Sequence, residues 1–355
     1  MYCIINITPE LSNVKFYRTI CRLQFYIIGN FFMKLKSFLF SLIILGSFSF
    51  NLFAQETNPL TFSISTDFAY YPKSNYIAGD THFAPLTGIY SGLEGRVNGT
   101  VDYKINTPLG EHWLLADANL VLEASLELTP VSIKPEASLT FTPLPFLVFS
   151  TGASIGTGWN LAGMQGMAYL TTDAEGELTY KDYTPFTNWF VKWYGQGTFQ
   201  FDTGALVAGD WTHVQFMYTY QIYYAGLTGA KKGDIWMWQC AGNKANGWCN
   251  YQNIILAYQM PLVLRSIGIL TEFNGHFSDS DYPGEGYKGS FKSIAISPLA
   301  QFTLGEHDTL SAILGFSSRR SYEQEHEKSI YDTTLTYAGR EWYFNRLALS
   351  WTHTF

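Results

Sequence analysis

The chain is poor in charge and in cysteine, and after its first 55 residues it has no long apolar run. Charged residues make up 14% of the 355 residues, whereas aromatic residues make up 17% and there are 31 glycines. Soluble proteins carry about 25% charge, and a membrane-spanning helix needs an apolar run of about 18 residues or more. Low charge with many aromatics and glycines therefore favours a membrane protein built from strands.

Only four cysteines are present, and two of them, Cys3 and Cys21, lie in the first 54 residues. Cys240 and Cys249 bracket the polar, glycine-containing segment AGNKANGW. In an exported protein this arrangement predicts a disulfide that closes a loop. A zinc site would need two further ligands, and none lies nearby at a suitable spacing.

The one long apolar segment lies at residues 33–55, MKLKSFLFSLIILGSFSFNLFAQ. Lys34 and Lys36 precede an apolar stretch, and Phe53-Ala54 precede Gln55 at a cleavage point, as in a secretory signal peptide. We expect residues 1–32 to be an upstream misassigned start, residues 33–54 to be the signal peptide, and residues 55–355 to be one exported domain. The rival interpretation of residues 33–55 is a retained membrane anchor.

Alternation between apolar and polar residues dominates the exported region. From residue 89 to residue 106, IYSGLEGRVNGTVDYKIN, one face of a strand would be largely apolar and the other would carry both signs of charge. The pattern recurs at residues 114–128, 133–141, 191–203 and 214–224. Strands near 263–274 and 289–304 alternate less cleanly.

Breaks between the strands alternate in length. Short breaks at residues 108–112, 142–145, 207–210, 260–263 and 304–308 alternate with longer polar stretches, except at 129–132. About twelve strands of 11–16 residues result, with both termini at the short-turn end. Even strand number, unequal loops and apolar-out alternation predict an all-β, transmembrane, antiparallel up-and-down β-barrel. A secreted β-sandwich or β-helix is the soluble alternative.

The last ten residues, RLALSWTHTF, resemble the terminal strand of Gram-negative outer-membrane barrels, which ends in Phe after alternating apolar positions. Leu347, Leu349, Trp351 and Phe355 fit this pattern as an assembly signal, and Tyr343 extends it. His353 and Asn345 depart from it. The resemblance implies a bacterial outer-membrane location, outer-membrane lipid around the barrel and recognition by the barrel-assembly machinery. We expect the last strand to pair with the strand that starts near Leu60.

Charged residues on the polar faces are the candidate pore lining, whose charges would set selectivity. The set is Glu94, Arg96, Asp102, Lys104, Asp117, Glu123, Glu127, Lys134, Glu136, Lys192 and Asp202. Seven acids against four bases predict a weak cation preference for a channel that passes small polar solutes or ions. The alternative is a salt-bridged, water-poor interior, because a twelve-stranded barrel lies between filled and open sizes. The sequence leaves open whether residues 159–188 fold inward as a plug.

Catalytic and metal motifs are weak. GASIG, residues 152–156, matches the nucleophile-elbow pattern but lies in an alternating strand with no helix after it. DSDYPGEG, residues 279–286, resembles a calcium loop but has Pro283 and Ser290 at ligand positions. The segment YEQEHEKS, residues 322–329, fits a charged exposed loop better than a metal site. No cofactor or metal is expected.

The charge and the motifs together leave three candidate functions. The net charge is −7 and becomes more acidic without residues 1–54, which argues against nucleic acid as a partner. A solute channel is the first candidate function. A non-conducting structural or surface-interaction barrel is the second, and a membrane-embedded hydrolase is the third, although no motif joins a histidine to a nucleophile, so an enzyme is not expected.

Overall fold

The computed structural model describes residues 59–325 and 331–355. The predicted upstream segment and signal peptide lie outside the described residues, and so does part of the charged loop at 322–329. No helix in the described residues is long and apolar enough to cross a membrane.

Twelve long strands form the wall, and each pairs antiparallel with its neighbours in chain order. They are β1 (Leu60–Lys73), β2 (Gly88–Asn106), β3 (Asn119–Thr129), β4 (Ser132–Leu144), β5 (Leu147–Gly158), β6 (Phe190–Asp202), β7 (Val214–Leu227), β8 (Gly247–Gln259), β9 (Leu264–His276), β10 (Ser293–Thr303), β11 (Asp308–Tyr322) and β12 (Tyr337–Thr354).

The first and last strands close the barrel. Ser63 lies opposite Thr354, and the register continues to Tyr70 opposite Leu347. The backbone N–H of Phe355 also donates to the carbonyl of Phe62 at 2.9 Å. Closure leaves no unpaired edge in the wall, as a bilayer requires. The predicted barrel, its strand number and the pairing of its termini are confirmed.

The two faces of the wall differ as the alternation predicted. Apolar side chains of alternate residues are exposed on the outer face, for example Phe68, Leu93, Leu256 and Leu349. Polar and charged residues between them face the lumen. An exposed apolar exterior of this extent is what a lipid-facing barrel presents.

The β2–β3 connection differs from the prediction. Residues 113–116, predicted to begin a strand, form one helical turn, and β3 starts only at Asn119. His112 caps that turn because its Nδ1 accepts a hydrogen bond from the backbone N–H of Leu114 at 3.3 Å. Asp117, the C-cap of the turn, therefore lies outside the strands, and its predicted position on the polar face of a strand is wrong.

Strand β12 contains a second departure. The register between β11 and β12 shifts where Gly315 pairs with Arg346 and Phe316 pairs with Phe344, which leaves Asn345 as a bulge. A bulge inserts one residue and so inverts the alternation beyond it. Phe344 packs on the outward Phe316, whereas Tyr343 lies inside beneath Arg319, so the predicted outward position of Tyr343 is wrong.

The two ends of the barrel carry connections of different length. At one end, the short-turn end, two residues join β4 to β5, four join β8 to β9 and four join β10 to β11. The longer connections at the opposite end, the long-loop end, follow β1, β5, β7, β9 and β11; two residues join β3 to β4 there. Residues 107–118 and 203–213, at the short-turn end, are longer than the turns predicted there.

Candidate functional site: the lumen and its loop-end cavity

A group of lumen-facing charges, the charge belt, crosses β1 to β4. It comprises Asp67, Arg96, Glu127 and Lys134. Arg96 Nε lies 2.5 Å from Asp67 Oδ2, and Arg96 reaches Glu127 at 3.6 Å. Lys134 Nζ lies 3.1 Å from Glu127 Oε2. Cross-strand neighbours of opposite charge thus alternate around this part of the wall.

The other predicted lining residues divide into three groups. Glu123 and Glu136 border a lumen cavity of about 410 Å³ together with the charge belt, and Glu94 accepts a hydrogen bond from the Tyr71 hydroxyl. Asp102 and Lys104 lie toward the short-turn end of β2, and Asp202 caps the 3₁₀ turn after β6. Lys192 lies near the long-loop end, so the eleven residues do not form one ring.

Loops at the long-loop end form a second, smaller sheet inside the wall, here called the loop sheet. Its four strands are, in spatial order, Leu178–Asp182, Met167–Thr172, Trp236–Trp238 and Ala241–Lys244. Phe190 and Leu227 of the wall pack with Met167, Trp236 and Trp238 in a buried cluster. Part of the loop at residues 159–188 therefore folds into the long-loop half of the lumen.

The segment Trp236–Lys244, here called the inward hairpin, contacts the charge belt at its tip. The Gln239 amide nitrogen donates to Glu127 Oε1 at 2.7 Å and to Ser132 Oγ at 2.9 Å. Gln239 has a positive φ of 50°, so the tip adopts a left-handed turn. The hairpin thus narrows the lumen between its two ends.

The predicted Cys240–Cys249 disulfide is wrong, because Cys249 is a free, buried thiol. Cys240 lies at the tip of the inward hairpin, whereas Cys249 lies in β8, opposite Tyr223 and His276 of the neighbouring strands. The eight residues between the cysteines run back from the lumen to the wall. Sequence spacing cannot reveal this path.

The glycines of GASIG give the wall room for these inner contacts. A Cβ atom at Gly152 would lie 2.8 Å from the Tyr194 ring, and one at Gly156 would lie 2.7 Å from the Trp238 ring. Ser154 lies between them in the middle of β5 and is buried. The segment is therefore a strand, as expected, and not a nucleophile elbow.

A cavity of about 630 Å³, here called the loop-end cavity, lies on the long-loop side of the charge belt. Its lining includes aromatic rings from the wall and the loops, among them Phe190, Tyr223, Trp236 and Tyr282. The size lies in the range of small-molecule sites, about 300–1,000 Å³. Burial raises the pKa of Tyr282 to about 12, so its hydroxyl remains a neutral hydrogen-bond donor at physiological pH.

Cations line the same cavity: Lys192, Lys244, Arg319 and Arg320. Arg319 is neutralised by Glu341, with Nε 3.0 Å from Oε1, and lies 3.7 Å from the Tyr76 ring centre. Arg320 instead donates to the carbonyls of Lys288 and Gly289 and to the Tyr287 hydroxyl. Sequence reasoning missed Lys244, Arg319 and Arg320, because they lie in a loop or beyond the cleanly alternating strands.

His276 is the titratable group whose contacts most resemble those of a catalytic histidine. Its Nδ1 lies 2.9 Å from Asp281 Oδ2, and its Nε2 lies 3.3 Å from the Tyr282 hydroxyl. Both ring nitrogens thus have partners, and neither partner is a serine or cysteine. Within residues 59–325 and 331–355, no group of three or more His, Cys, Asp or Glu side chains could hold a metal ion.

The segment that resembles a calcium loop, which begins at Asp279, is closed by a hydrogen bond between its own residues. Asp279 Oδ1 accepts a hydrogen bond from the backbone N–H of Ser290 at 2.7 Å. This bond lowers the pKa of Asp279. Asp281 binds His276 instead, so the two carboxylates serve different partners.

Fold and lumen together define a closed, twelve-stranded β-barrel of the outer-membrane type. No family model and no curated protein sequence matches the chain. Among the solved structures that are similar to it, three outer-membrane proteins match at 8–10% identity.

The β domain of the Bordetella autotransporter BrkA has a TM-score of 0.43, with 83% of this chain and 99% of that chain covered at 8% identity. The COG4313 outer-membrane channel of Pseudomonas putida F1 has a TM-score of 0.44, with 85% and 97% covered at 10% identity. The outer-membrane channel DcaP of Acinetobacter baumannii has a TM-score of 0.34, with 83% and 96% covered at 9% identity. The assignment of the barrel rests on the chain's own strand pairing.

Proposed function

We propose that this protein is a bacterial outer-membrane channel that passes small polar solutes or ions through a narrow lumen. The observation that carries the proposal is the polar inner face, where both signs of charge remain partly exposed around a space of about 410 Å³. Although the four charges of the belt are paired with one another, Glu123 and Glu136 of the same lining are in no salt bridge with another described residue and are only partly buried. Rings of charged side chains are a recurrent basis of selectivity in pores.

We also propose that a bilayer surrounds the wall, and the outer face supports this. Large apolar side chains such as Phe68, Leu256 and Leu347 would otherwise be exposed to water. We place the short-turn end in the periplasm and the long-loop end outside the cell, as in other outer-membrane barrels. Export through a cleaved signal peptide at residues 33–54 is part of the same proposal.

We expect the lining of the lumen to favour cations. Seven of the eleven predicted lining residues are acidic, and six of the remaining ten are acidic when Asp117 is set aside. We expect planar-bilayer recordings of the purified protein under a salt gradient to give discrete conductance and a weak cation preference. Clear anion selectivity would contradict the role of the acidic lining, and absence of conductance would contradict the channel.

A non-conducting structural or surface-interaction barrel is the second candidate. The observation that favours it is the buried cluster of Met167, Trp236 and Trp238 against Phe190 and Leu227, which packs loop residues inside the wall. For a non-conducting barrel, the same recordings should show no conductance, and binding activity should be confined to the long loops.

A membrane-embedded hydrolase is the third candidate. The paired His276 and Asp281 are the groups it would use. A screen of phospholipid and peptide hydrolysis by the folded protein tests it, and release of product above that of a His276→Ala variant would favour it.

A further inference from the structure

The loop-end cavity carries more positive charge than its neighbours compensate. Four of its lining side chains are cationic, whereas one acidic residue, Asp332, is found among the described lining residues. Glu341 forms a salt bridge with Arg319. In the described part of the chain, no carboxylate lies within salt-bridge distance of Lys192, Lys244 or Arg320.

Two of the three uncompensated cations lie over aromatic rings. The Lys192 ammonium lies 4.7 Å from the Tyr223 ring centre, and the Arg320 guanidinium lies 4.0 Å from that of Tyr287. Burial lowers the pKa of Lys244, which lies in the inward hairpin opposite Trp236. A partly buried cation without an anionic partner is costly, so an anion in the cavity would be stabilised.

Aromatic faces and an unused donor accompany these cations. Phe190 and Trp238 stack with ring centres 4.7 Å apart, and Trp236 lies edge-on to Phe190. Trp236 is 1% exposed, and its indole Nε1–H has no acceptor. Buried indole donors are normally paired. The cavity therefore offers a donor that a bound molecule can satisfy and flat surfaces that a ring can contact.

We propose that the loop-end cavity is a binding site for a small ring-bearing carboxylate. Its carboxylate lies among Lys192, Lys244 and Arg320, and its ring packs against the aromatic side chains that surround Trp236. The role of this site rests on the proposed channel function. In the channel, the site would hold an organic anion at the long-loop end, before the anion reaches the charge belt. Binding itself does not require conduction.

Lys244 is the residue to change first, because it lies where the inward hairpin separates two cavities. It borders both the loop-end cavity and a second cavity of about 400 Å³ next to the charge belt. Lys232 provides the matched control. It lies in the same β7–β8 connection, but its ammonium donates to Ser280 Oγ at 2.9 Å and is exposed.

Equilibrium binding to the detergent-solubilised, folded protein tests the proposal. The probes are benzoate and glucuronate, with neutral glucose and cationic benzylamine as controls, and the readouts are tryptophan fluorescence and titration calorimetry at low ionic strength. We expect saturable binding of at least one carboxylate and none of glucose or benzylamine. Benzoate alone would indicate an aromatic acid, and glucuronate alone an acidic sugar.

In Lys244→Gln we expect affinity for the bound carboxylate to fall by about tenfold or more, as loss of a charged hydrogen-bond donor implies. Lys232→Gln should bind as the unchanged protein does. No saturable binding of either carboxylate, equal binding of glucose, or unchanged affinity in both Lys244→Gln and Lys192→Gln would overturn the proposal. Conductance without binding would overturn this site and leave the channel, whereas binding without conductance would do the reverse.

Discussion

Glu127 is the residue on which the inner contacts converge. Its two carboxylate oxygens serve Lys134, Arg96 and the amide of Gln239, and the side chain is almost fully buried. The carboxylate thus joins the wall to the inward hairpin. Loss of a buried acceptor leaves donors unpaired, which costs about 1–3 kcal/mol for each group.

We therefore expect Glu127→Ala to loosen the inward hairpin. Hydrogen exchange of the amides in residues 236–244, followed by mass spectrometry, should become about tenfold faster or more. Glu127→Gln should have a smaller effect, because its amide oxygen can still accept from Gln239. Glu123→Ala is the control on the same strand and face. Equal exchange in the two alanine variants would show that Glu127 does not hold the hairpin.

Asp279 predicts a pH dependence of the loop between β9 and β10. The bond from the Ser290 backbone N–H lowers the pKa of Asp279 below its ordinary value of 3.8. A carboxyl with a depressed folded-state pKa contributes stability above its unfolded-state pKa and loses it as the pH falls through the folded-state pKa.

Hydrogen exchange of residues 277–292, corrected for intrinsic rates, should accelerate as the pH falls from about 5 to about 2. Asp279→Asn removes the titrating group, so its exchange should show no such step. A step of the same size in Asp279→Asn would assign the pH dependence to another group.

At the scale of elements, β12 closes the wall and contains the residues of the predicted assembly signal. Leu347, Leu349 and Trp351 are exposed on the outer face, opposite β1. His353, which departs from an apolar pattern, lies 3.0 Å from Asp308 of β11, and Trp351 Nε1 donates to the same carboxylate at 3.0 Å. A polar pair at the end of the strand therefore replaces an apolar contact there.

Phe355→Ala should reduce assembly of the barrel, because the ring is exposed and so contributes little to packing of the folded wall. The fraction of folded protein in outer-membrane extracts, measured by heat-modifiable mobility on gels, should fall while the stability of the folded fraction stays the same. Phe186→Ala, a similarly exposed Phe in a long loop, is the control. Equal yields of both variants would contradict recognition of the terminal residue.

At the scale of the whole molecule, the lumen is polarised along its axis. Cationic side chains lie near the long-loop end around the loop-end cavity, whereas the cavity of about 410 Å³ next to the charge belt is lined by four acids and two bases, on the other side of the inward hairpin. An anion and a cation would thus meet different halves of the same lumen. The inward hairpin is the element that separates the halves.

Replacement of residues 235–245 by a short Gly-Ser linker should widen the passage. Liposomes that contain the variant should admit larger sugars than liposomes with the unchanged protein, because a twelve-stranded wall without inner loops leaves a wider lumen. Replacement of residues 204–210, at the short-turn end, is the control. An unchanged size limit would mean that the wall itself, and not the hairpin, restricts passage.

Much of the wall followed from the sequence alone. Strict alternation at residues 89–106 and 191–203 can be satisfied only by strands with unlike faces, and the unequal breaks set the up-and-down order. Pairing of β12 with β1 followed because a closed barrel must join its ends. Local periodicity carries this information, since each residue's face depends only on its neighbours along the strand.

Contacts between distant segments were decided by the tertiary structure. The helical turn at 113–116, the bulge at Asn345 and the free thiol of Cys249 all depend on neighbours that alternation does not encode. The inward hairpin and the cations Lys244, Arg319 and Arg320 meet only because loops fold back into the lumen. The sequence by itself determined a lipid-facing barrel with a charged interior, and the folding of its loops decided how that interior is divided, because loop paths depend on packing rather than on period.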